Sequence, residues 1–272
     1  MTNGLDHIVH AVRDLDAAGE FYRRAGFTVG ARNRHPWGTH NRIVQLKNCY
    51  IELLEVAEPE EIPPHGERSF SFGAFNRDFL LARQGFSMVI LNSTNAGEDA
   101  RSFKASKISD FELAFSLAFA SDIKSPRVRF GTCQHYYPEN FWNPALQTHP
   151  NGAAAARGVV LVADNPTDHH IFLKAFTGIS DLHSTSIGIT ARTENGDIEI
   201  MEVVSYQDQF GVAAEANGEG MTLNALRFEV ADLAELEASL RQGGIAARRR
   251  VGRLIVPPDL AFGATLIFEG GK

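Results

Sequence analysis

The chain has 272 residues, of which 44% are hydrophobic and 22% charged, and these are ordinary values for a globular protein long enough for two domains. With 33 acidic and 26 basic residues the formal charge is −7, which argues against nucleic acid or an anionic membrane as the main partner. The sequence has no apolar run of membrane-spanning length, no signal-type N-terminal pattern and no CxxC pair, so we expect a soluble, cytoplasmic protein.

The first part of the chain predicts a β-α-β-β-β unit. Asp14 precedes a helical pattern as an N-cap, and Gly26 follows that pattern as a helix-terminating glycine. Period-two alternation and β-branched residues predict the strands. They are expected at Leu5–Val12, briefly at Thr28–Arg32, and then at Arg42–Leu46 and Tyr50–Val56.

Three later segments repeat this order of elements. Strand and helix pairs are predicted at Gly85–Ser93 with Gly97–Ile108, at Gly158–Ala163 with Asp168–Phe176, and at Leu223–Val230 with Leu233–Gln242. Further strands are predicted at Phe111–Ala120, Arg127–Gln134, near Ile245–Val256 and at Ala264–Phe268. The segment IELLEV (Ile51–Val56) recurs as IEIMEV (Ile198–Val203) at the same place in its unit, which indicates an internal repeat.

The domain boundary is expected where proline, glycine and small residues accumulate between the second and third units. We therefore predict an α+β protein with a first domain at 1–142, a linker at 143–156 and a second domain at 157–272. Each domain is expected to contain two βαβββ modules. The sequence leaves open which modules pair.

Three segments carry a resemblance to a known family. The run GLDHIVHAVRDLDAAGEFYRRAGFTV, followed by HPWGTHN (His35–Asn41) and YIEL (Tyr50–Leu53), resembles the vicinal oxygen chelate superfamily and its glyoxalase-like members. The resemblance is clearest over residues 4–56 and weakest over 158–272. It implies tandem βαβββ modules that form two glyoxalase/dihydroxybiphenyl-dioxygenase-like domains with open, curved mixed sheets. It also implies a divalent metal, such as Mn, Fe, Ni, Co or Zn, that chelates a small-molecule substrate, and it is compatible with a homodimer.

Two residues match the family's metal-ligand positions in the first module. The resemblance places His7 at the first-strand position and Glu52 at the last-strand position, and it makes Glu52 a candidate general base as well. The residues alone leave alternatives open. His7 is equally compatible with a hydrogen-bonded core histidine, and Glu52 with a salt bridge to an arginine such as Arg42. His10 has the opposite strand parity and is expected to face a helix or a domain contact.

The second module departs from the family pattern. Met88 stands opposite His7, and a thioether is a poor ligand for a metal that binds substrate oxygens. A replacement is available from the strand end at Gln134 and His135, which alternate in facing, so only one of them can point into the cavity. We take His135 as the most favoured third metal ligand and Gln134 as a substrate-binding candidate.

The substrate-binding candidates lie in two aromatic segments. HPWGTHN offers Trp37, Thr39 and Asn41 for a cavity rim, and the segment before the boundary offers Trp142. Structural packing is the alternative for both segments. In the second domain Gly158 falls opposite His7 and only Glu199 matches Glu52, so that domain is expected to be a structural partner or a metal-free pocket.

Three functions are compatible with this pattern. The first is a metal-dependent enzyme of lyase or isomerase type that acts on a small oxygenated or aromatic substrate. The second is a metal-free protein that binds and sequesters a drug-like ligand, which Met88 and the ligand-poor second domain favour. The third is an extradiol ring-cleaving dioxygenase, which requires two histidines and a glutamate within one domain.

Overall fold

Two mixed β-sheets, one in each half of the chain, form the frame of the molecule. The computed structural model of the protein describes residues 3–67, 69–109, 116–216 and 218–271. The first sheet has the strand order β2-β3-β4-β1-β5-β7-β6, and the second has the order β13-β14-β15-β12-β8-β11-β10-β9. None of the helices in these ranges has the length and apolar character that a membrane-spanning helix needs.

The elements of the first half are seven strands and four helices within the described residues. The strands are β1 (Leu5–Ala11), β2 (Asn33–Arg34), β3 (Thr39–Gln45), β4 (Tyr50–Val56), β5 (Gly85–Ser93), β6 (Leu117–Ala120) and β7 (Arg129–Gln134). The helices are α1 (Leu15–Arg24), α2 (Phe72–Ala82), α3 (Ala96–Ala105) and α4 (Pro138–Phe141). Part of the predicted strand Phe111–Ala120 lies outside the described residues.

The second half contributes eight strands and three helices to the described structure. The strands are β8 (Ala153–Ala163), β9 (His183–Thr185), β10 (Gly188–Thr193), β11 (Gly196–Glu202), β12 (Thr222–Val230), β13 (Arg248–Arg250), β14 (Arg253–Val256) and β15 (Thr265–Gly270). The helices are α5 (His170–Thr177), α6 (Val203–Phe210) and α7 (Leu233–Gln242). Strand β8 begins at Ala153, within the stretch expected to be a linker.

The pairing of the strands confirms the predicted fold and shows which modules pair. Strand β1 runs parallel to β4 and antiparallel to β5, and β5 runs parallel to β7. In the second sheet β8 has the same relation to β11 and β12, and β12 runs parallel to β15. The first module therefore pairs with the second, and the third pairs with the fourth. The two repeated segments, at Ile51–Val56 and Ile198–Val203, occupy equivalent internal strands, β4 and β11, of the two sheets.

Each module's first strand carries a polar residue in a β-bulge. On β1, Leu5 pairs with Leu91 and His7 with Ile90, so Asp6 is the additional residue. The same shift falls at Ser87 on β5, at Arg157 on β8 and at Asn224 on β12. A bulge re-aims the side chain that it carries. In each module the bulge directly precedes the position that His7 occupies in the first.

A shared apolar core joins the convex faces of the two sheets. The side chain of Phe27, after α1, packs against the rings of Phe228 and Phe268 in the second sheet, with centroids 5.4 and 6.2 Å apart. His10 lies on this face, as expected, with Nδ1 3.0 Å from the Tyr22 hydroxyl and Nε2 3.1 Å from the Phe262 carbonyl oxygen. The two halves are therefore joined by packed core residues as well as by chain connection.

A helix covers part of the concave face of each sheet. Helix α2 follows β4 and α6 follows β11, so the two helices occupy equivalent places in the repeat. On the second sheet, the side chain of Tyr206 from α6 is fully buried and donates a hydrogen bond to Thr265 Oγ1 at 2.8 Å. Phe210 packs beside Tyr206 in the same cluster. The concave face of the second sheet is thus filled at its centre by α6.

Candidate functional site

The concave face of the first sheet retains a cavity of about 340 Å³ beside α2. Its walls are mostly aromatic or aliphatic, from Trp37, Phe70, Phe72 and Phe119. Its polar groups include three titratable side chains on the strands and the following loop: His7, His35 and Glu52. An apolar cavity with a few convergent polar groups is the usual form of a small-molecule site.

His7 is held in one orientation by two neighbours. Its Nδ1 donates a hydrogen bond to Asp6 Oδ1 at 2.6 Å, and its ring stacks on Tyr50 with centroids 4.4 Å apart. Only 5% of the residue is exposed, and Nε2 makes no hydrogen bond within the described part of the chain. A carboxylate behind Nδ1 is the arrangement that orients many metal-binding or proton-transferring histidines. His7 therefore offers Nε2 to the cavity.

Asp6, which sequence reasoning missed, links His7 to His135. Its second oxygen, Oδ2, accepts a hydrogen bond from His135 Nε2 at 2.9 Å. Burial alone would raise the pKa of Asp6, but the hydrogen bonds from His135 and His7 lower it overall. The hydrogen bond to Asp6 raises the pKa of His135. The bulge on β1 explains the omission, because simple strand alternation places residues 6 and 7 on opposite faces.

Glu52 is a buried carboxylate that forms no ion pair with a lysine or arginine among the described residues. It is 6% exposed, and its Oε1 accepts a hydrogen bond from Asn41 Nδ2 at 2.7 Å. His35 Nε2 is 3.7 Å from the same oxygen. The alternative pairing with Arg42 is not observed, because the Arg42 guanidinium binds Asp16 at 2.7 Å on the other face.

The loop before β3 supports Glu52. Asn41 Nδ2 is 3.2 Å from His35 Nε2, and His35 Nδ1 is 2.8 Å from Thr39 Oγ1. The ring of His35 in turn stacks on Trp37 with centroids 4.9 Å apart. Thr39 and Asn41 thus do not line the cavity but hydrogen-bond to residues that do, whereas Trp37 lines the cavity directly. The Trp37 Nε1–H is buried and has no acceptor among the described residues, which leaves it available to a bound molecule.

Gln134 and His135 diverge at the end of β7. Gln134 points toward α3, where its Oε1 accepts a hydrogen bond from the backbone N–H of Ala96 at 3.1 Å, and it does not line the cavity. His135 lies behind His7, beside Phe141 and Trp142. Trp142 also contacts Tyr50, with ring centroids 5.8 Å apart, so it packs behind the cavity wall.

The predicted triad of His7, Glu52 and His135 is not assembled as a compact ligand set. Among the described residues, the one set of three metal-type ligands whose atoms lie within 4.8 Å of each other is Asp6, Cys133 and His135. His7 and Glu52 both line the cavity, whereas His135 is hydrogen-bonded to Asp6 on the far side of His7. His7 and Glu52 are therefore the two residues of the predicted triad that line this cavity.

The corresponding positions of the second module cannot supply further ligands. Met88 is fully buried, and Asn76 of α2 covers its Sδ at 3.8 Å. Glu52 lies beside Val9 across β4 and β1, and the equivalent pair across β7 and β5 is Gly131 beside Ile90. A Cβ at Gly131 would lie 3.0 Å from the Ala118 carbonyl oxygen, so the position has little room for a side chain.

The second sheet has a glycine where the first has His7, and an arginine lies beside it on the neighbouring strand β12. Val9 pairs with Glu52 and Val160 pairs with Glu199, so Gly158 occupies the position of His7, as the sequence predicts. A Cβ at Gly158 would lie 2.4 Å from the Asp197 carbonyl oxygen, which excludes a side chain there. Arg227 pairs with Gly158 across β12.

The Arg227 guanidinium contacts two carboxylates, the partly buried Glu199 and the buried Glu269, and Arg253 also pairs with Glu269 at 2.8 Å. It donates to Glu199 Oε1 at 2.5 Å and forms a two-point contact with Glu269 at 2.9 and 3.1 Å. Burial raises the pKa of Glu199 despite Arg227, whereas for Glu269 the bonds from Arg227 outweigh burial and lower the pKa. The second concave face is therefore occupied by an ion-pair network and by α6.

The chain matches one protein family by sequence. The family model described as "Glyoxalase-like domain" matches residues 5–177, well over half of the chain. The chain belongs to this glyoxalase-like domain family. The match confirms the resemblance to the vicinal oxygen chelate superfamily. No curated protein matches this glyoxalase-like chain.

Solved structures share the fold of this glyoxalase-like protein at low identity. A hypothetical protein from Staphylococcus aureus is 12% identical with a TM-score of 0.67, and each chain is fully covered. A mutant 4-hydroxymandelate synthase from Streptomyces coelicolor is 12% identical with a TM-score of 0.62, over 99% of this chain and 92% of that one. A xylose isomerase-like TIM barrel/4-hydroxyphenylpyruvate dioxygenase fusion protein is 11% identical with a TM-score of 0.59, over 99% of this chain and 49% of that one.

Proposed function

We propose that this glyoxalase-like protein is a metal-dependent enzyme of lyase or isomerase type. The cavity of the first domain holds a divalent ion and a small substrate that combines an aromatic or apolar body with neighbouring oxygen atoms. His7 Nε2 and the Glu52 carboxylate are the protein ligands. The observation that carries the proposal is the contrast between Glu52 and its repeat partner Glu199.

A buried carboxylate is costly unless a positive charge or several donors compensate it. Glu199 has the guanidinium of Arg227 at 2.5 Å. Glu52 is less exposed and has one amide donor, Asn41, with the His35 imidazole 3.7 Å away. A divalent cation in the cavity supplies to Glu52 the compensation that Arg227 supplies to Glu199. The second ligand of that cation is His7, whose Nε2 faces the same cavity.

The donor set fits such an ion. One imidazole and one carboxylate suit Mn, Fe, Co, Ni or Zn, and two protein ligands leave positions for substrate oxygens. When bound, the ion supplies Lewis acidity at those oxygens. Asp6 behind His7 and Asn41 beside Glu52 hold the two ligands in place.

The remaining chemistry belongs to side chains of the cavity. Trp37, Phe70, Phe72 and Phe119 exclude water and pack against the apolar body of the substrate. Asn41 engages Glu52 Oε1, so the other oxygen, Oε2, is the atom that accepts a proton from the substrate. The Trp37 N–H donates a hydrogen bond to a polar substituent.

A metal-free binding protein is the second candidate. It is favoured by Met88, which α2 covers, and by Gly131, which stands where a second acid would be. In that case His7 and Glu52 bind the polar end of a ligand directly. A ring-cleaving dioxygenase is the third candidate, because two structural neighbours carry a dioxygenase or hydroxymandelate synthase name. That function requires a third metal ligand, whereas His135 is hydrogen-bonded to Asp6.

Metal content by elemental analysis tests the proposal. Wild-type protein is expected to contain about one equivalent of a divalent metal, and the His7→Ala and Glu52→Gln variants are expected to lose it. Glu55→Gln is the matched control, because Glu55 lies on the same strand but pairs with Arg32 at the surface, and it should retain the metal. Absence of metal from wild type, even after incubation with Mn, Fe, Ni, Co or Zn, would overturn the metal-dependent mechanism in favour of the binding protein.

A further inference from the structure

A second set of metal-type ligands lies behind the cavity. Asp6, Cys133 and His135 each offer one ligand atom, and these atoms lie within 4.8 Å of one another. We propose that they form a separate divalent-metal site with a thiolate ligand, of the kind that takes zinc. The site differs from the His7 and Glu52 pair in its residues and in its chemistry, and it does not depend on the proposed function.

The donor types are those of a zinc site. A carboxylate oxygen, an imidazole nitrogen and a thiolate sulfur are all zinc ligands, with bonds of about 2.0–2.3 Å. In a tetrahedron, bonds of this length put ligand atoms roughly 3.3–3.7 Å apart. The Asp6 Oδ2 to His135 Nε2 distance of 2.9 Å therefore needs to open by only about half an ångström, as the imidazole gives its proton away and the ion takes its place.

The elements bring these residues together for identifiable reasons. The bulge on β1 turns the Asp6 carboxylate toward His7 and His135. Cys133 lies on β7 with the parity that faces the concave side, since it lines the cavity that His7 lines. His135 directly follows the strand. Asp6 Oδ1 remains with His7, and Oδ2 is the oxygen that the second site uses.

A second cavity gives solvent access to the cluster. This cavity of about 320 Å³ is lined by Asp6, Cys133 and His135 together with polar residues of both halves, Lys47, Asn48 and Asn195 among them. Asp6 is buried, while Cys133 and His135 are partly accessible. An ion can therefore reach the ligands without passing through the first cavity. The fourth position of a tetrahedral ion would face this solvent-filled space and take water.

The local charge favours a cation over an empty cluster. Burial and the charges of Asp6 and Glu52 raise the pKa of the Cys133 thiol to about 12, so without a metal it stays protonated and unreactive. A dication among the same groups offsets both carboxylates and releases the thiol proton. Cys49, the other cysteine, is fully buried and belongs to no such cluster among the described residues.

Titration of the metal-free full-length protein with Co²⁺ tests the site, because cobalt bound to thiolate gives a charge-transfer absorption in the near ultraviolet that imidazole and carboxylate ligands do not. Wild type is expected to show this absorption with release of the thiol proton. Cys133→Ser should abolish it, and His135→Ala should weaken cobalt binding by at least about tenfold. Cys49→Ser, the matched control, should leave the absorption intact.

The two proposals fail separately in this experiment. The thiolate absorption should persist in His7→Ala and Glu52→Gln, because neither residue is a ligand of the second site. Cobalt binding without a thiolate band in wild type, or a band that survives in Cys133→Ser, would overturn the second site. A signal that lacks the thiolate band and disappears in His7→Ala would support the first site alone and overturn the second.

Discussion

Glu52 and Glu199 show how one position in a duplicated module can acquire two different environments. Both follow the same strand pattern, and both lie beside a valine of the neighbouring parallel strand. The partner of Glu199 is Arg227, which pairs with Gly158 across β12 and β8. At the residue scale, therefore, the choice between a functional and a structural carboxylate depends on what occupies the adjacent strand.

Replacing Arg227 with methionine should destabilise the protein strongly. The substitution removes the arginine that pairs with Glu199 and leaves Glu269 with Arg253 at 2.8 Å, and loss of one partner of a buried ion pair costs about 3 kcal/mol or more. Urea unfolding at neutral pH measures the loss. Adding Glu199→Gln and Glu269→Gln to this variant should recover part of it. Equal stability of the single and triple variants would show that the network does not act as a charge-compensated unit.

His10 should make stability depend on pH in a defined window. Complete burial lowers the pKa of His10 from 6.5 to about 4. Above pH 6.5 the residue is neutral in the folded and unfolded chains, and its full contribution is present. As the pH falls from about 6.5 to about 4, only the unfolded chain takes up the proton. The free energy of unfolding then decreases, by at most about 1.4 kcal/mol per pH unit.

The His10→Gln variant isolates this effect. Glutamine retains hydrogen-bonding groups toward Tyr22 and Phe262 but does not titrate. The difference in urea stability between pH 7 and pH 5 should therefore be smaller in the variant than in wild type. Identical pH dependence in the two proteins would contradict the assignment of a neutral, buried His10.

At the scale of elements, helices α2 and α6 decide how much cavity each sheet keeps. Helix α2 covers Met88 through Asn76 and leaves the space over His7 and Glu52 open. Helix α6 places Tyr206 and Phe210 over the centre of its sheet. A helix after equivalent strands thus leaves a cavity on the first sheet and fills the centre of the second.

Tyr206 is the residue on which the filled sheet depends most. Tyr206→Phe should cost about 1 kcal/mol, because it removes the hydrogen bond to Thr265, and Tyr206→Ala should cost about 3–5 kcal/mol, because it leaves a cavity under α6. Thermal or urea unfolding of both variants measures the costs. A Tyr206→Ala variant as stable as Tyr206→Phe would mean that α6 is not part of the packed core.

Sequence pattern could predict the repeated modules, and it could place His7 and Glu52, because both depend on strand periodicity and on an ordered motif. It could not predict Asp6 as the partner of His7, since a bulge breaks the period-two rule at that point. Helix α2 was missed for a related reason. Its Phe75 packs both on the sheet and on Phe70 of the segment before the helix, so FGAFNRDFLLA has no clear one-sided helical pattern.

Register is the second feature that sequence could not supply. The sequence does not determine which of Gln134 and His135 faces the cavity. In the structure Gln134 binds the start of α3 and His135 binds Asp6. The sequence is compatible with either substrate binding or packing for Trp142, and in the structure it packs behind Tyr50. In each case the decision rests on residues distant in the sequence.

At the scale of the whole molecule, the two halves should unfold together. Their convex faces contribute to a single apolar core, in which Phe27 contacts Phe228 and Phe268. Both tryptophans, Trp37 and Trp142, lie in the first half, whereas far-ultraviolet circular dichroism reports on both halves. Tryptophan fluorescence and circular dichroism should therefore give coincident urea transitions.

A substitution in the second half tests this coupling directly. Phe228→Ala should lower the urea midpoint of the tryptophan signal, although no tryptophan lies in the second half, with an expected cost of about 3–5 kcal/mol. Ile123→Ala is a suitable comparison, because Ile123 is almost fully exposed and should change little. Two separated transitions, or an unchanged tryptophan midpoint in Phe228→Ala, would show that the halves are independent.

The Asp6 carboxylate has a consequence for how the two cavities communicate. One oxygen faces His7 and the other faces His135, so an ion or proton that draws on one oxygen changes what the other offers. Thermodynamic linkage then requires reciprocity: the factor by which occupancy of one cavity changes affinity in the other is the same in both directions. A coupling free energy of about 1 kcal/mol already corresponds to roughly a fivefold change in affinity. We therefore expect binding in one cavity to change affinity in the other through this single buried side chain.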